Sequence, residues 1–398
     1  MMGRIAQRIL KMEESATLKM ANLAWELKDQ GKDVISLSLG EPDFNTPDFV
    51  KEAAIQAIKD NHTHYPPVPG YKDLKEAVCK KFKRDNLIDY TPDQIVVSTG
   101  AKHSLMNLCL AVINPGDEVI LPAPYWVSYL AMVQFAEGTA VEIKTDIEAD
   151  FKITPYQLEE ALNEKTKMFL FSNPCNPSGS VYSEKEIRAL ATVFEKYPNC
   201  LIVSDEIYEL INFESSNFSI ARIESLKDRV ITVNGVAKGF AMTGWRIGYI
   251  GAPTDIAKAC TKLQGQFTSG ANSIAQKATI AALGKDPSEL NEMKEVFHKR
   301  RDLLISKLKE IKGLGLNEPM GAFYVFPDVS SFFGKSFGEI TINNSDDLCM
   351  YLLGDCMVAT TAGEAFGCPK NIRISYANSD EQLIEAVKRM KGSLEKLS

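Results

Sequence analysis

The chain has 398 residues, an apolar fraction of 45%, a charged fraction of 24% and a formal charge of −7 from 45 basic and 52 acidic side chains. That length suggests two domains, or one large and one small, and the composition is ordinary for a globular fold. The acidic balance gives no electrostatic reason to expect nucleic acid, and no apolar run approaches a membrane span, so neither is expected as a partner.

The opening stretch "MMGRIAQRILKM" is short, basic and amphipathic. It lacks the continuous apolar core of a secretory signal and reads as a structural arm or helix. The eight cysteines contain no CxxC pair and the four histidines show no ligand spacing. No zinc site and no disulfide framework is expected, and a reducing, cytoplasmic setting fits best.

Short β-rich runs follow in chain order: "QIVVS" (94–98), "EVILP" (118–122), "AVEIK" (140–144), "KMFLFS" (167–172), "CLIVSDE" (200–206), "RVITVN" (229–234) and "RIGYIG" (246–251). Most are continuously apolar rather than alternating, as expected of strands covered on both faces. Amphipathic stretches lie between them. "SEKEIRALATVFEKY" (183–197) begins with a serine and carries a glutamate three residues later, a capping-box pattern. Strand and helix repeated this way predict an α/β fold, a three-layer α/β/α large domain with a mostly parallel sheet. After about residue 285 the texture changes. A long charged helix leads into "GAFYVFPDV", "MVATTA" and "NIRISYA", which predicts a smaller α+β domain.

Ligands of open α/β sheets gather beyond the carboxyl ends of the strands. After the first run comes "TGAKHS", with Gly100, Ala101 and Lys102 leading into an apparent helix. It fits either a tight turn or an anion cradle at a helix start. Neither GxxxxGK[ST] nor GxGxxG occurs, which counts against a Walker loop and a nicotinamide dehydrogenase. "NPCNPSG" (173–179) is a stiff loop, because each proline restricts itself and the asparagine before it. It is either a loop only or a device that aims the amide of Asn176.

In "SDEIY", Asp205 follows a buried strand, where an acid is costly unless it caps a helix or meets a cation. Tyr208 points broadly the same way if a helical turn begins there. "VNGVAKGFAMTGWRIGYIG" (233–251) sets Lys238 and Arg246 among small residues. A lysine there is either a snorkelling surface residue or a buried amine that is paired, neutralised or bonded. An anion cradle, an asparagine, an acid with a tyrosine and a lysine around one cleft are what pyridoxal 5′-phosphate requires.

With "LGEPDFNTP" (39–47), "HYPPVPGY" (64–71), "APYWVSY" (123–129) and "IRISYA" (372–377), these motifs cover nearly the whole chain. In their order they resemble the class I aminotransferases of fold type I, in particular the bacterial aspartate aminotransferase-like branch. The resemblance implies an N-terminal arm with part of the small domain over 1–45, a large cofactor-binding domain over 46–285 and a small domain over 286–398. It implies pyridoxal 5′-phosphate bound to Lys238 as a Schiff base, with Lys238 also shuttling the proton. Asp205 would pair with the pyridinium, Tyr208 and Asn176 would donate to the phenolate oxygen, and Trp126 would stack on the ring. Gly100, Ala101 and Arg246 would hold the phosphate, with Tyr65 reaching it from the partner subunit of a homodimer. Arg373 would grip the substrate α-carboxylate beside Gly40. One departure is Gly235, where some members carry a serine that contacts the phosphate; backbone N–H groups are expected to substitute.

Dicarboxylic substrates need a further cation. Well-studied eukaryotic relatives supply an arginine from the neighbouring subunit, and "KLQGQFTSGANSIAQ" (262–276) holds none. Lys102 is the expected replacement, assisted by Thr17 from the arm. The expected reaction is ping-pong transfer of an amino group from aspartate or glutamate to 2-oxoglutarate or oxaloacetate. The alternatives are aromatic, alanine, kynurenine or prephenate aminotransferases, a β-lyase, or a cofactor-binding regulator. The last would need an added DNA-binding module, for which the short N-terminal segment leaves no room.

Overall fold

The structure is a computed structural model that describes residues 4–10, 12, 14–213 and 217–398. Of "MMGRIAQRILKM", residues 1–3 and 11 lie outside the described residues, and Gln7–Leu10 is helical. A first short strand, β1 (Ile35–Ser36), precedes the main series: β2 (Ile95–Ser98), β3 (Glu118–Ala123), β4 (Thr139–Lys144), β5 (Thr166–Ser172), β6 (Leu201–Asp205), β7 (Val230–Gly235) and β8 (Gly248–Gly251). Each predicted apolar run lands on one of these seven.

The seven form one sheet in the order β2-β8-β7-β6-β5-β3-β4. Neighbours from β4 to β7 pair in parallel, and only β8 runs antiparallel, between β7 and β2. The continuous apolar runs follow from two buried faces. In β2, Ile95 and Val97 enter one core while Val96 enters another; in β5, Phe169 and Phe171 oppose Met168 and Leu170. Side chains alternate with period two, so a strand covered on both faces must be apolar at every position. Ser183 opens the helix Glu184–Phe194, and its capping box with Glu186 is formed.

A third core lies in the C-terminal part. It gathers Phe297 and Leu304 from the helix Asn291–Leu308 and Leu348 and Leu352 from the helix Ser345–Cys356. The strands here are β9 (Tyr324–Val325), β10 (Ser336–Phe337), β11 (Ile340–Thr341), β12 (Val358–Ala359), β13 (Thr361–Ala362) and β14 (Ile372–Ser375). β14 sits between β13 and β9, antiparallel to both. The same core takes Met20 and Ala24 from the helix Ala16–Asp29, and β1 pairs in parallel with β12. Residues 16–36 therefore belong to the C-terminal lobe, and the chain crosses at residues 38–47 to build the sheet before returning.

Parallel pairing puts the carboxyl ends of β2, β3, β5, β6 and β7 on one edge of the sheet. The turn after β6 is anchored from below. Glu206 accepts hydrogen bonds from Ser204, Ser219 and Asn86 at 2.9, 2.5 and 3.3 Å, and Glu209 pairs with the buried Lys81. Burial, then the charge of Glu209, pushes the Glu206 carboxyl up to about 7. These contacts hold the 204–209 segment, which carries Asp205 and Tyr208, to the turn at 81–86.

Candidate functional site

A cavity of about 370 Å³ opens at that edge, between the sheet and the C-terminal lobe. Its charged lining comprises Lys102, Lys238, Arg246 and Arg373 against Glu41 and Asp205. Four cations facing two carboxylates make the pocket basic within a chain whose net charge is −7, which suits an anionic ligand.

β6 ends on Asp205, which is 4% exposed. Its carboxylate accepts from the Tyr129 hydroxyl at 2.7 Å and from the Ile207 N–H at 3.3 Å. Burial pushes it up to about 6, against the opposing pull of those two hydrogen bonds and of Lys238. A carboxylate destabilised in this way gains most from a cationic partner. Three residues on, Tyr208 is also buried; its hydroxyl shares a hydrogen bond of 2.8 Å with Tyr324 and lies 3.5 Å from Asn176 Nδ2.

Lys238 follows β7 by a short turn and is partly buried. Its Nζ donates to the Gly40 carbonyl, and no carboxylate lies within ion-pair distance among the described residues. Burial lowers it to about 8, with Glu41 opposing and Arg373 and Arg246 adding to the fall. An amine held there loses its proton far more readily than a surface lysine. Of the two readings of this lysine, the buried, tuned amine is the one observed.

The helix Ala101–Val112 starts at the end of β2, with Gly100 at its N-cap at φ 84°. Glycine brings no capping side chain, so the N–H groups of Ala101 and Lys102 stay open to an anion. Arg246 has a left-handed backbone, φ 57°, and its guanidinium packs on Gly100, where a Cβ would come within 2.5 Å of Nη2. It donates to the Thr243 carbonyl at 2.9 Å and meets no carboxylate among the described residues. At Gly235 an added Cβ would lie 2.9 Å from the Ile247 carbonyl, so close packing of β7 on β8 leaves no room for a serine.

Arg373, on β14, is 1% exposed. Nη1 donates to Asn176 Oδ1 at 3.0 Å and Nη2 to the Ser38 carbonyl at 2.6 Å, while Nε has no partner among the described residues. The rings of Tyr324 and Phe366 lie 4.5 and 5.1 Å from it. A buried guanidinium supported by rings and carbonyls, with a donor to spare, awaits an anion. Lys102 lies 4.9 Å over the half-buried Trp126 ring, and desolvation, then Arg246, lowers its pKa. The Thr17 hydroxyl, on the pocket wall, also lacks a partner among the described residues.

The structure thus brings Lys238, Asp205, Tyr208, Asn176, Trp126, Ala101, Arg246, Gly40, Arg373, Lys102 and Thr17 to one cavity, with Gly100 directly behind Ala101. Tyr65 is not among them: it is 90% exposed on the loop before Pro66. Sequence reasoning missed Tyr129, Tyr324 and Glu41. All three lie in stretches that were singled out, "APYWVSY", "GAFYVF" and "LGEPDFNTP". Nothing in their spacing says that the first touches Asp205 and the second Tyr208.

The family model described as aminotransferase class I and II matches residues 32–390. A Petunia hybrida bifunctional aspartate aminotransferase and glutamate/aspartate-prephenate aminotransferase is 45% identical over 98% of this chain and 82% of its own length. A Nitrosomonas europaea aspartate/prephenate aminotransferase is 46% identical over 97% of this chain and 98% of its own. Among solved structures, the aspartate aminotransferase from Rhizobium meliloti superposes with a TM-score of 0.95 at 42% identity, covering all of both chains. That of Thermus thermophilus with maleate gives 0.93 at 39%, over 98% of this chain and 100% of its own. On this likeness the chain belongs to the class I and II aminotransferases, enzymes that depend on pyridoxal 5′-phosphate and act on amino acids and 2-oxo acids.

Proposed function

We propose that the chain is an aspartate aminotransferase, passing the amino group of aspartate or glutamate to 2-oxoglutarate or oxaloacetate. The observation that carries this is a pair of cations without acidic partners among the described residues on one pocket, Arg373 with a spare Nε and Lys102, with the Thr17 hydroxyl on the same pocket wall. A substrate with two carboxylates satisfies both. The Thermus relative was solved with maleate, a dicarboxylate. Prephenate, also a dicarboxylate and an oxo acid, is a second acceptor that this pocket suits, and it stands in the names of the Petunia and Nitrosomonas relatives.

The residues present fit the cofactor. The open helix start at Gly100 and Ala101 with Arg246 suits a phosphate, the buried Asp205 suits a ring N–H, and Tyr208 with Asn176 suits the phenolate oxygen. When bound, pyridoxal phosphate supplies an electron sink for the negative charge left at the substrate Cα. Lys238 would hold the aldehyde and carry the proton at the substrate Cα. Asp205 would keep the ring nitrogen protonated, with Tyr129 fixing the carboxylate. Trp126 covers one side of the pocket, Arg373 and Gly40 hold the α-carboxylate, and Lys102 and Thr17 hold the distal one.

The exposed Tyr65 supports a homodimer in which it reaches the partner's phosphate. The separate cores support a division into 1–45, 46–285 and 286–398, with the first segment belonging to the last. Residence in the cytoplasm is proposed from the eight cysteines, all of them free thiols.

The test is spectral. The visible absorbance of the purified enzyme should shift on adding aspartate and return on adding 2-oxoglutarate, and parallel half-reactions with phenylalanine, alanine and kynurenine should be slower. Replacing Lys102 with alanine should lower kcat/KM for aspartate by ~30-fold or more, the usual loss for one charged hydrogen-bonding partner, with little change for phenylalanine. Equal losses on both substrates would remove the specificity argument.

A further inference from the structure

A phenol carries one hydrogen, and its direction depends on the neighbouring groups. For Tyr208 the neighbours are Asn176 and Tyr324. Tyr324 opens β9 and is fully buried. It stands opposite Ser375 of β14, two residues from Arg373, whose guanidinium lies 4.5 Å from its ring centroid. Its hydroxyl meets the Tyr208 hydroxyl at 2.8 Å, and a Cβ on Gly40 would collide with its oxygen. Arg373 Nη1 holds Asn176 Oδ1, which turns the Asn176 NH2 toward Tyr208. The four side chains close a circuit that joins both lobes.

We infer that Tyr324 is a positioning residue for the transamination reaction: it donates to Tyr208 and so directs the Tyr208 hydrogen into the pocket, toward the cofactor's phenolate oxygen. The inference rests on the proposed role of Tyr208 as donor to that oxygen. With Asn176 and Tyr324 both donating, the lone pairs of the Tyr208 oxygen are taken and its own hydrogen can enter only the pocket. In the opposite orientation the Tyr324 hydrogen would have no protein acceptor among the described residues, a less favourable arrangement. Donation in series polarises each bond, so Tyr208 becomes a stronger donor than an isolated phenol. The guanidinium beside the Tyr324 ring favours negative charge on its oxygen and strengthens the first donation.

The experiment is a pH titration of the visible absorbance of the holoenzyme. Weaker donation leaves more charge on the phenolate oxygen, and the nitrogen joined to Lys238 then keeps its proton to higher pH. Tyr324→Phe should raise the titration midpoint by roughly half a unit to one unit, the size of one neutral hydrogen bond. Tyr208→Phe should raise it further. Adding Tyr324→Phe to Tyr208→Phe should then change nothing, because the last member of the relay is already gone. Phenylalanine keeps the ring beside Arg373, and circular dichroism confirms the fold. A Tyr324→Phe midpoint equal to wild type overturns the inference, and so does an equal shift in both backgrounds, which marks a structural effect. A midpoint that ignores Tyr208→Phe overturns the proposed role of Tyr208 as well, so the two failures are distinct.

Discussion

Replacing Lys238 with alanine is expected to abolish transamination, lowering kcat/KM by ~10⁴-fold or more, since it removes both the covalent anchor and the proton carrier. The structure explains why no neighbour can take over. Lys102, the other pocket-lining lysine, begins the helix Ala101–Val112 and leans over Trp126, while Lys238 reaches the Gly40 carbonyl beside Asp205 and Tyr208. Burial has lowered the Lys238 amine to about 8, where a neutral form is accessible near physiological pH. Borohydride reduction followed by peptide mass mapping supplies a check independent of activity. The wild type should carry a pyridoxyl adduct on the Lys238 peptide and the variant none, and small primary amines should restore part of the rate. An adduct on another lysine would transfer the role elsewhere.

Asp205→Asn is expected to lower kcat by ~10³-fold, in line with the loss of one preorganised charge at the reacting system, and to stabilise the apoprotein. The second effect follows from the sign of the pKa shift. The Asp205 carboxyl rises from 3.8 to about 6 on folding without cofactor, because it is buried. The folded state thus holds its proton more tightly than the unfolded chain, and stability falls as pH rises from about 4 to about 6. At pH 7 that loss is complete, at ~1–3 kcal/mol. An amide can keep the Ile207 N–H on its oxygen and donate its NH2 to the Tyr129 hydroxyl, without a charge to desolvate. Thermal melts of the cofactor-free proteins should therefore show the variant ahead at pH 7 and level near pH 4. A variant less stable than wild type at pH 7 would mean that Asp205 stabilises the empty fold.

The two variants test one arrangement. A buried lysine pushed toward neutrality and a buried acid pushed toward protonation both destabilise an empty pocket. Both are relieved by a ligand that bonds to the amine and offers a cationic N–H to the acid. Strain of this kind, held by the Glu206–Asn86–Lys81 cluster behind β6, is a cost of keeping the groups ready for chemistry.

Six of the seven strands of the main sheet were legible because a strand buried on both faces needs a continuous apolar run and few other elements do, while the largely exposed edge strand β4 carries its apolar side chains in alternation. The helix after Ser183 was legible because its capping box is local. Lys238, Asp205, Tyr208 and Asn176 could be found because each closely follows a strand end, and strand ends meet at one edge of a parallel sheet. The sequence by itself thus determined the α/β architecture, the gathering of these strand-end residues at one cavity and, through ordered motifs, the aminotransferase family.

Only the tertiary structure decided which groups touch. Tyr129 lies 76 residues from the Asp205 it bonds, Tyr324 lies 116 from Tyr208, and Arg373 lies 335 from the Ser38 carbonyl that holds it. Local spacing carries no record of such pairs, since they form only when strands, helices and lobes far apart in the chain pack together. The same holds for the amine of Lys238 and the carboxyl of Asp205, whose altered proton affinities come from burial, a property of the folded whole.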